Sequence, residues 1–77
     1  MIAITDIETL IKNAIPDAAV NIADKNGMSD HFLIYVEAKS FENQNLMDRH
    51  RSVMAALEPA MKDGRLHAAE IKTALPV

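Results

Sequence analysis

Three imidazoles, on His31, His50 and His67, are the side chains whose type and placement could do chemistry in this chain. Histidine is the one side chain whose ordinary pKa lies near neutrality, and its neutral ring is a metal ligand. The chain has no cysteine, so thiolate ligation, thiol catalysis and disulfides are all excluded. No nucleophile–base pair is visible, and no spacing supplies a complete all-protein metal site. The expectation is therefore a non-enzyme. His31 opens the run His31-Phe32-Leu33-Ile34-Tyr35-Val36, beside a polar loop. His67 is followed by Ala68 and Ala69, whose small side chains leave space beside its ring. Each also has a plain reading, His31 as a solvated strand end and His67 as a strand histidine bonded to backbone. His50 sits in Asp48-Arg49-His50-Arg51, on a helix face with Leu46, Val53 and Leu57. The reading there is a buried structural histidine. Arg49 and Arg51 point to other faces, where they could hold a partner's carboxylates or an anion, or form an ordinary solvated surface.

The elements that must position these residues follow from periodicity. Ile7, Leu10, Ile11, Ala14 and Ile15 recur at helical spacing, Thr5-Asp6-Ile7-Glu8 fits a capping box, and Pro16 disfavours continuation. These predict a helix over 5–15. Val20-Asn21-Ile22 alternates as a half-buried strand from about 18 to 24. Lys25 to Asp30 is polar, with an Asn-Gly turn signal. His31 to Glu37 is the strongest strand, and it should pair with the first as an antiparallel hairpin. Phe32, Ile34 and Val36 share one face. His31, Leu33, Tyr35 and Glu37 share the other. A turn over 39–43 leads to a helix from about Asn45, its N-cap, to Leu57, with Leu46, His50, Val53, Met54 and Leu57 on one face. Pro59 suits the first turn of a further short helix, closed by Lys62-Asp63-Gly64. The last strand runs from Leu66 to Ala74, with His67, Ala69, Ile71 and Thr73 on one face and Glu70 and Lys72 on the other.

The order is α-β-β-α-α-β. A helical passage between the second and third strands allows them to lie parallel. As neighbours they would bring His31 and His67 to one end of the sheet.

Composition bounds the function. Seventy-seven residues suit a single domain over 1–77, and 49% apolar content suits a globular chain. With two Phe, one Tyr and no Trp, the core must be aliphatic. Met47, Met54 and Met61 recur at a spacing suited to core filling rather than to copper. A net charge of −3 argues against broad electrostatic binding to nucleic acid or anionic membrane. No apolar run approaches the about 20 residues that span a bilayer, and the acidic start is unlike a signal peptide. The expected setting is soluble and cytoplasmic.

The combination His31-Phe32-x-Ile34-x-Val36, Ser40-Phe41, Arg49-His50-Arg51 and Leu66-His67-Ala68-x-x-Ile71-x-Thr73 resembles the BolA family over nearly the whole chain. Each motif alone is weak, and together they are specific. The absence of cysteine and the His31-Phe32 pair resemble its short, histidine-containing (IbaG-like) branch. Two positions depart from the pattern. Asn43 stands where glycine is usual, and Met54 where an aromatic residue is common.

The resemblance implies an α+β, class II KH-like fold with a three-stranded mixed sheet and helices on one face. It also implies a role with monothiol glutaredoxins in iron–sulfur cluster and iron homeostasis and the associated stress response. His67 maps to the family's cluster ligand, and His31 is the best match for the second. Two imidazoles cannot complete a 2Fe–2S site, so the remaining ligands would be thiolates from a partner, the glutaredoxin cysteine and glutathione. Apoprotein recipients are further expected partners. The chain alone is expected as a monomer or weak homodimer. The alternative is a DNA-binding regulator using the KH-like fold and Arg49 and Arg51. Against it, the only glycines are Gly27 and Gly64, so no Gly-x-x-Gly clamp exists, and few aromatics are available for stacking.

Overall fold

In a computed structural model that describes residues 1–25, 27–28 and 31–76, the chain forms a three-stranded sheet backed by two helices. The elements are α1 (Ile4–Ala14), β1 (Ala19–Asp24), β2 (His31–Glu37), a 3-10 turn (Lys39–Asn43), α2 (Leu46–Lys62) and β3 (Ala68–Ala74). β2 is central. It pairs antiparallel with β1 and parallel with β3, as the hairpin and crossover arguments require. The polar turn predicted for Lys25–Asp30 falls partly outside the described residues; Gly27 within it has a φ of +75°.

Alternation on β2 sets the layers. Phe32, Ile34 and Val36 are buried on the helix side, while His31 and Tyr35 are exposed on the open side. Ile7 and Ile11 of α1 and Val53, Ala56, Leu57 and Ala60 of α2 close over that inner face. Phe41, from the 3-10 turn, and Leu66 complete the core, both about 1% exposed. Both helices thus pack on one face of a mixed sheet, the α+β arrangement expected.

Three local expectations are corrected. The Thr5–Glu8 capping box does not form. α1 begins at Ile4 with Ala3 at its N-cap, Thr9 Oγ1 donates to the Thr5 carbonyl, and Glu8 pairs with Lys12 at 3.0 Å. The helix predicted to stop at Leu57 runs on through Pro59 to Lys62 as one element, so the order is α-β-β-α-β plus a 3-10 turn. Pro59 lies on the exposed side, so its missing N–H costs the helix a bond only where water can serve the Ala55 carbonyl. β3 starts at Ala68, not Leu66, because the Leu66 N–H is spent on the Ala60 carbonyl at the end of α2.

The α2 face is also rotated. Val53 and Leu57 are buried, but Leu46 is 69% exposed and His50 is exposed. The buried stripe runs through 53, 56, 57 and 60, with Arg49 half-buried at its start. Ala56 and Ala60 bring the helix close to the sheet, and counting only large apolar residues overlooks them. Asn45 does cap the helix, its Oδ1 accepting from the Asp48 N–H at 2.9 Å.

Candidate metal and partner site

His31 is the first residue of β2, held there by the Lys25 N–H donating to its carbonyl at 2.8 Å. The side chain is exposed. In the parallel ladder its strand partner is Ala68. His67, also exposed, stands one residue ahead of that partner. The two histidine backbones therefore sit diagonally across adjacent strands, whose spacing is about 4.8 Å. By strand alternation His31 belongs to the open face and His67 to the helix face. A shared ligand would meet them past the end of the sheet rather than over either face.

The segment before His67 is fixed by local bonds. Asp63 Oδ1 accepts from both the backbone N–H and the Nε of Arg65, each at 3.0 Å. Gly64 takes a φ of +83°, the left-handed turn that glycine tolerates without strain. Leu66 plugs into the core, leaving His67 at the surface. The Asp63 carboxyl is held below its usual range by the Arg65 backbone N–H, and further by the Arg65 side chain. Beside His31 lies a shallow cavity of about 230 Å³ lined by Lys25, Phe32, Ala68, Ala69 and Glu70, with Lys25 and Glu70 paired across it at 3.6 Å. The small residues Ala68 and Ala69 supply the room here.

Among the described residues, no three His, Cys, Asp or Glu side chains gather into a metal-holding group. Among the described residues, this end of the sheet offers two imidazoles without a third clustered ligand.

His50 departs from its predicted role. It is exposed and lines an apolar groove of about 560 Å³ with Leu46, Met47, Ile71, Lys72 and Thr73. Arg49, placed on an outer face by the sequence reading, is the more buried of the two, and its Nε donates to the Gln44 carbonyl at 3.0 Å. It ties α2 to the preceding turn. Arg51 remains exposed, 3.6 Å from Asp48. Of the two positions that depart from the motif, Asn43 ends the 3-10 turn at the surface and Met54 is half-buried.

One polar junction went unread in the sequence. Asp17 accepts from both the backbone N–H and the hydroxyl of Ser40, each at 2.9 Å, and so pins the 3-10 turn to the end of α1. Those two bonds, the backbone one first, hold the Asp17 carboxyl below its ordinary value. The residues lie 23 positions apart, a separation that no local motif spans.

A family model described as BolA-like protein matches residues 3–77. The chain belongs to the BolA-like family. Protein BOLA2 of Arabidopsis thaliana is 32% identical over 75 residues, covering 96% of this chain and 78% of that protein. Among solved structures, a BolA homologue from Coxiella burnetii superposes with a TM-score of 0.80 at 31% identity, over 99% of this chain and 94% of that one. A BolA-like protein from Babesia bovis gives 0.81 at 25% identity, over 99% and 87%. Of the residues that carry the sequence resemblance, His31 and His67 fall at the sheet end, Phe32, Phe41 and Leu66 in the core, Ser40 at the Asp17 junction, and Arg49, His50 and Arg51 on the first turns of α2.

Proposed function

We propose that this chain is a non-catalytic partner of a monothiol glutaredoxin, contributing His67 and His31 to a 2Fe–2S cluster shared between the two proteins. The observation that carries this reading is the placement of two exposed imidazoles at adjacent strand ends. The donor set fits a shared cluster and not a self-contained one, because two nitrogen ligands leave half of the ligand positions to a partner's thiolates. When bound, such a cluster supplies iron–sulfur and electron chemistry that the protein's own side chains lack. The chain's contribution is positional. Leu66 and the Asp63–Arg65 turn hold His67 outward, and the β1–β2 ladder holds His31. His67 is the primary ligand and His31 the second. Of the two motif arginines, Arg51 is the one exposed to meet a partner carboxylate or glutathione, in a loose 3.6 Å pair with Asp48, since Arg49 already serves a backbone carbonyl. That same commitment weakens the DNA-binding alternative.

Anaerobic reconstitution with a monothiol glutaredoxin and glutathione, read by visible circular dichroism, tests the proposal. His67→Ala is expected to abolish the shared-cluster spectrum and His31→Ala to weaken or alter it, with far-ultraviolet spectra unchanged. A wild-type cluster spectrum from His67→Ala would refute the ligand assignment. A salt-dependent DNA titration is the counter-test: tight binding with a steep salt slope would favour the alternative.

A further inference from the structure

β3 is an edge strand, pairing with β2 on one side and with no other strand among the described residues. Its exposed edge has a definite polarity. The Ala74 carbonyl accepts from the Ala38 N–H on the β2 side. A strand residue directs its N–H and C=O to the same side, and successive residues alternate. Ala68, Glu70, Lys72 and Ala74 therefore bond toward β2, while Ala69, Ile71 and Thr73 present their backbone groups outward.

The sequence along this edge, Ala69-Glu70-Ile71-Lys72-Thr73, is charge-complementary to itself when reversed. We propose that β3 pairs antiparallel with β3 of a second copy of this chain, centred on Ile71, to form a continuous six-stranded sheet. In that register Ile71 meets Ile71, Ala69 meets Thr73, and these outward-bonding residues form the hydrogen-bonded pairs. Glu70 of each copy then faces Lys72 of the other on the open face, and vice versa. A two-fold contact requires such self-complementarity. Among the described residues, Glu70 pairs with two exposed lysines, Lys25 at 3.6 Å and Lys72 at 4.0 Å, and these pairs can be exchanged for the new ones.

A second observation points to the same edge. Ile71 and Thr73 line the 560 Å³ groove with Leu46 and Met47. Those two α2 residues are 69% and 58% exposed, large apolar side chains with no cover of their own. Pairing about Ile71 brings the two grooves together across the axis on the helix side. The opposite edge offers no match, since Asp24 is the only charged residue in β1. A strand edge with two apolar side chains is a small interface, so the dimer forms with concentration rather than obligatorily.

Sedimentation equilibrium over a concentration series, with amide shifts followed by NMR, tests this. The wild type is expected to move from monomer toward dimer, with the Ile71 and Thr73 amides shifting most. Lys72→Glu and Glu70→Lys should each abolish self-association by setting like charges opposite one another. An equimolar mixture of the two variants should recover it, since each supplies what the other lacks. The double variant Glu70→Lys/Lys72→Glu should associate as the wild type does. A wild type that stays monomeric throughout would overturn the proposal. So would association indifferent to these charges, or shifts confined to Leu46 and Met47, which would assign the groove to a different partner.

Discussion

Thr73 Oγ1 is the buried side-chain oxygen that finds no hydrogen-bond partner among the described residues. Leaving a hydroxyl in that state costs about 1–3 kcal/mol against a shape-matched apolar group. Thr73→Val keeps the β-branched shape and removes the orphan, so it is expected to raise unfolding stability by about 1 kcal/mol in urea. A clear loss would show that the hydroxyl is satisfied in solution. Asp17 is the opposite case, a carboxylate whose bonds to Ser40 favour its charged form. Its folded pKa lies below its unfolded value near 3.8, so the stability it contributes is present above that value and is lost as pH falls through the folded pKa. Asp17→Asn should therefore be less stable than the wild type at neutral pH, and the difference should close under strong acid. An acid-independent difference in urea midpoints would mean that shape, not charge, matters at this junction.

At the scale of elements, local patterns made the strands legible and tertiary contacts set the rest. His31–Glu37 reads directly from alternation and β-branching, and its bounds coincide with β2. The parallel pairing of β2 with β3 follows from the length of the intervening helix. The burial of α2 did not follow in the same way. Leu46 and His50 stand at helical spacing from Val53 and Leu57, yet in the first turns of α2 they line an open groove beside β3 instead of entering the core. Pro59 reads as a boundary because sequence alone does not say that its side of the helix faces water. The histidine end was legible in backbone terms, through His31 and His67, whereas the Asp17–Ser40 bond depends on two segments meeting only in the fold. The corrected face predicts its own outcome. Leu57 is fully buried, so Leu57→Ala should cost about 2–5 kcal/mol, while Leu46→Ala should shift the urea midpoint little. Equal losses at both positions would place Leu46 on the buried face with Leu57.

At the scale of the whole molecule, the two proposed surfaces lie along one segment of chain, the cluster site's His67 just ahead of β3 and the dimer contact further along the strand. His67 precedes β3, and Lys72 lies five residues further on, a separation of roughly 16 Å at strand rise. In an antiparallel pair centred on Ile71, the two histidine ends point away from each other and from the axis, so each remains open to a partner. The groups involved also differ, because the dimer contact uses Glu70 and Lys72 whereas the cluster reading uses the imidazoles of His31 and His67. This geometry predicts a double dissociation. Lys72→Glu should abolish self-association yet leave the glutaredoxin-dependent cluster spectrum intact. His67→Ala should remove that spectrum while the concentration-dependent sedimentation stays as in the wild type. Loss of both properties in either variant, with the far-ultraviolet spectrum preserved, would mean that the glutaredoxin docks on the β3 edge itself and competes with the second copy for it.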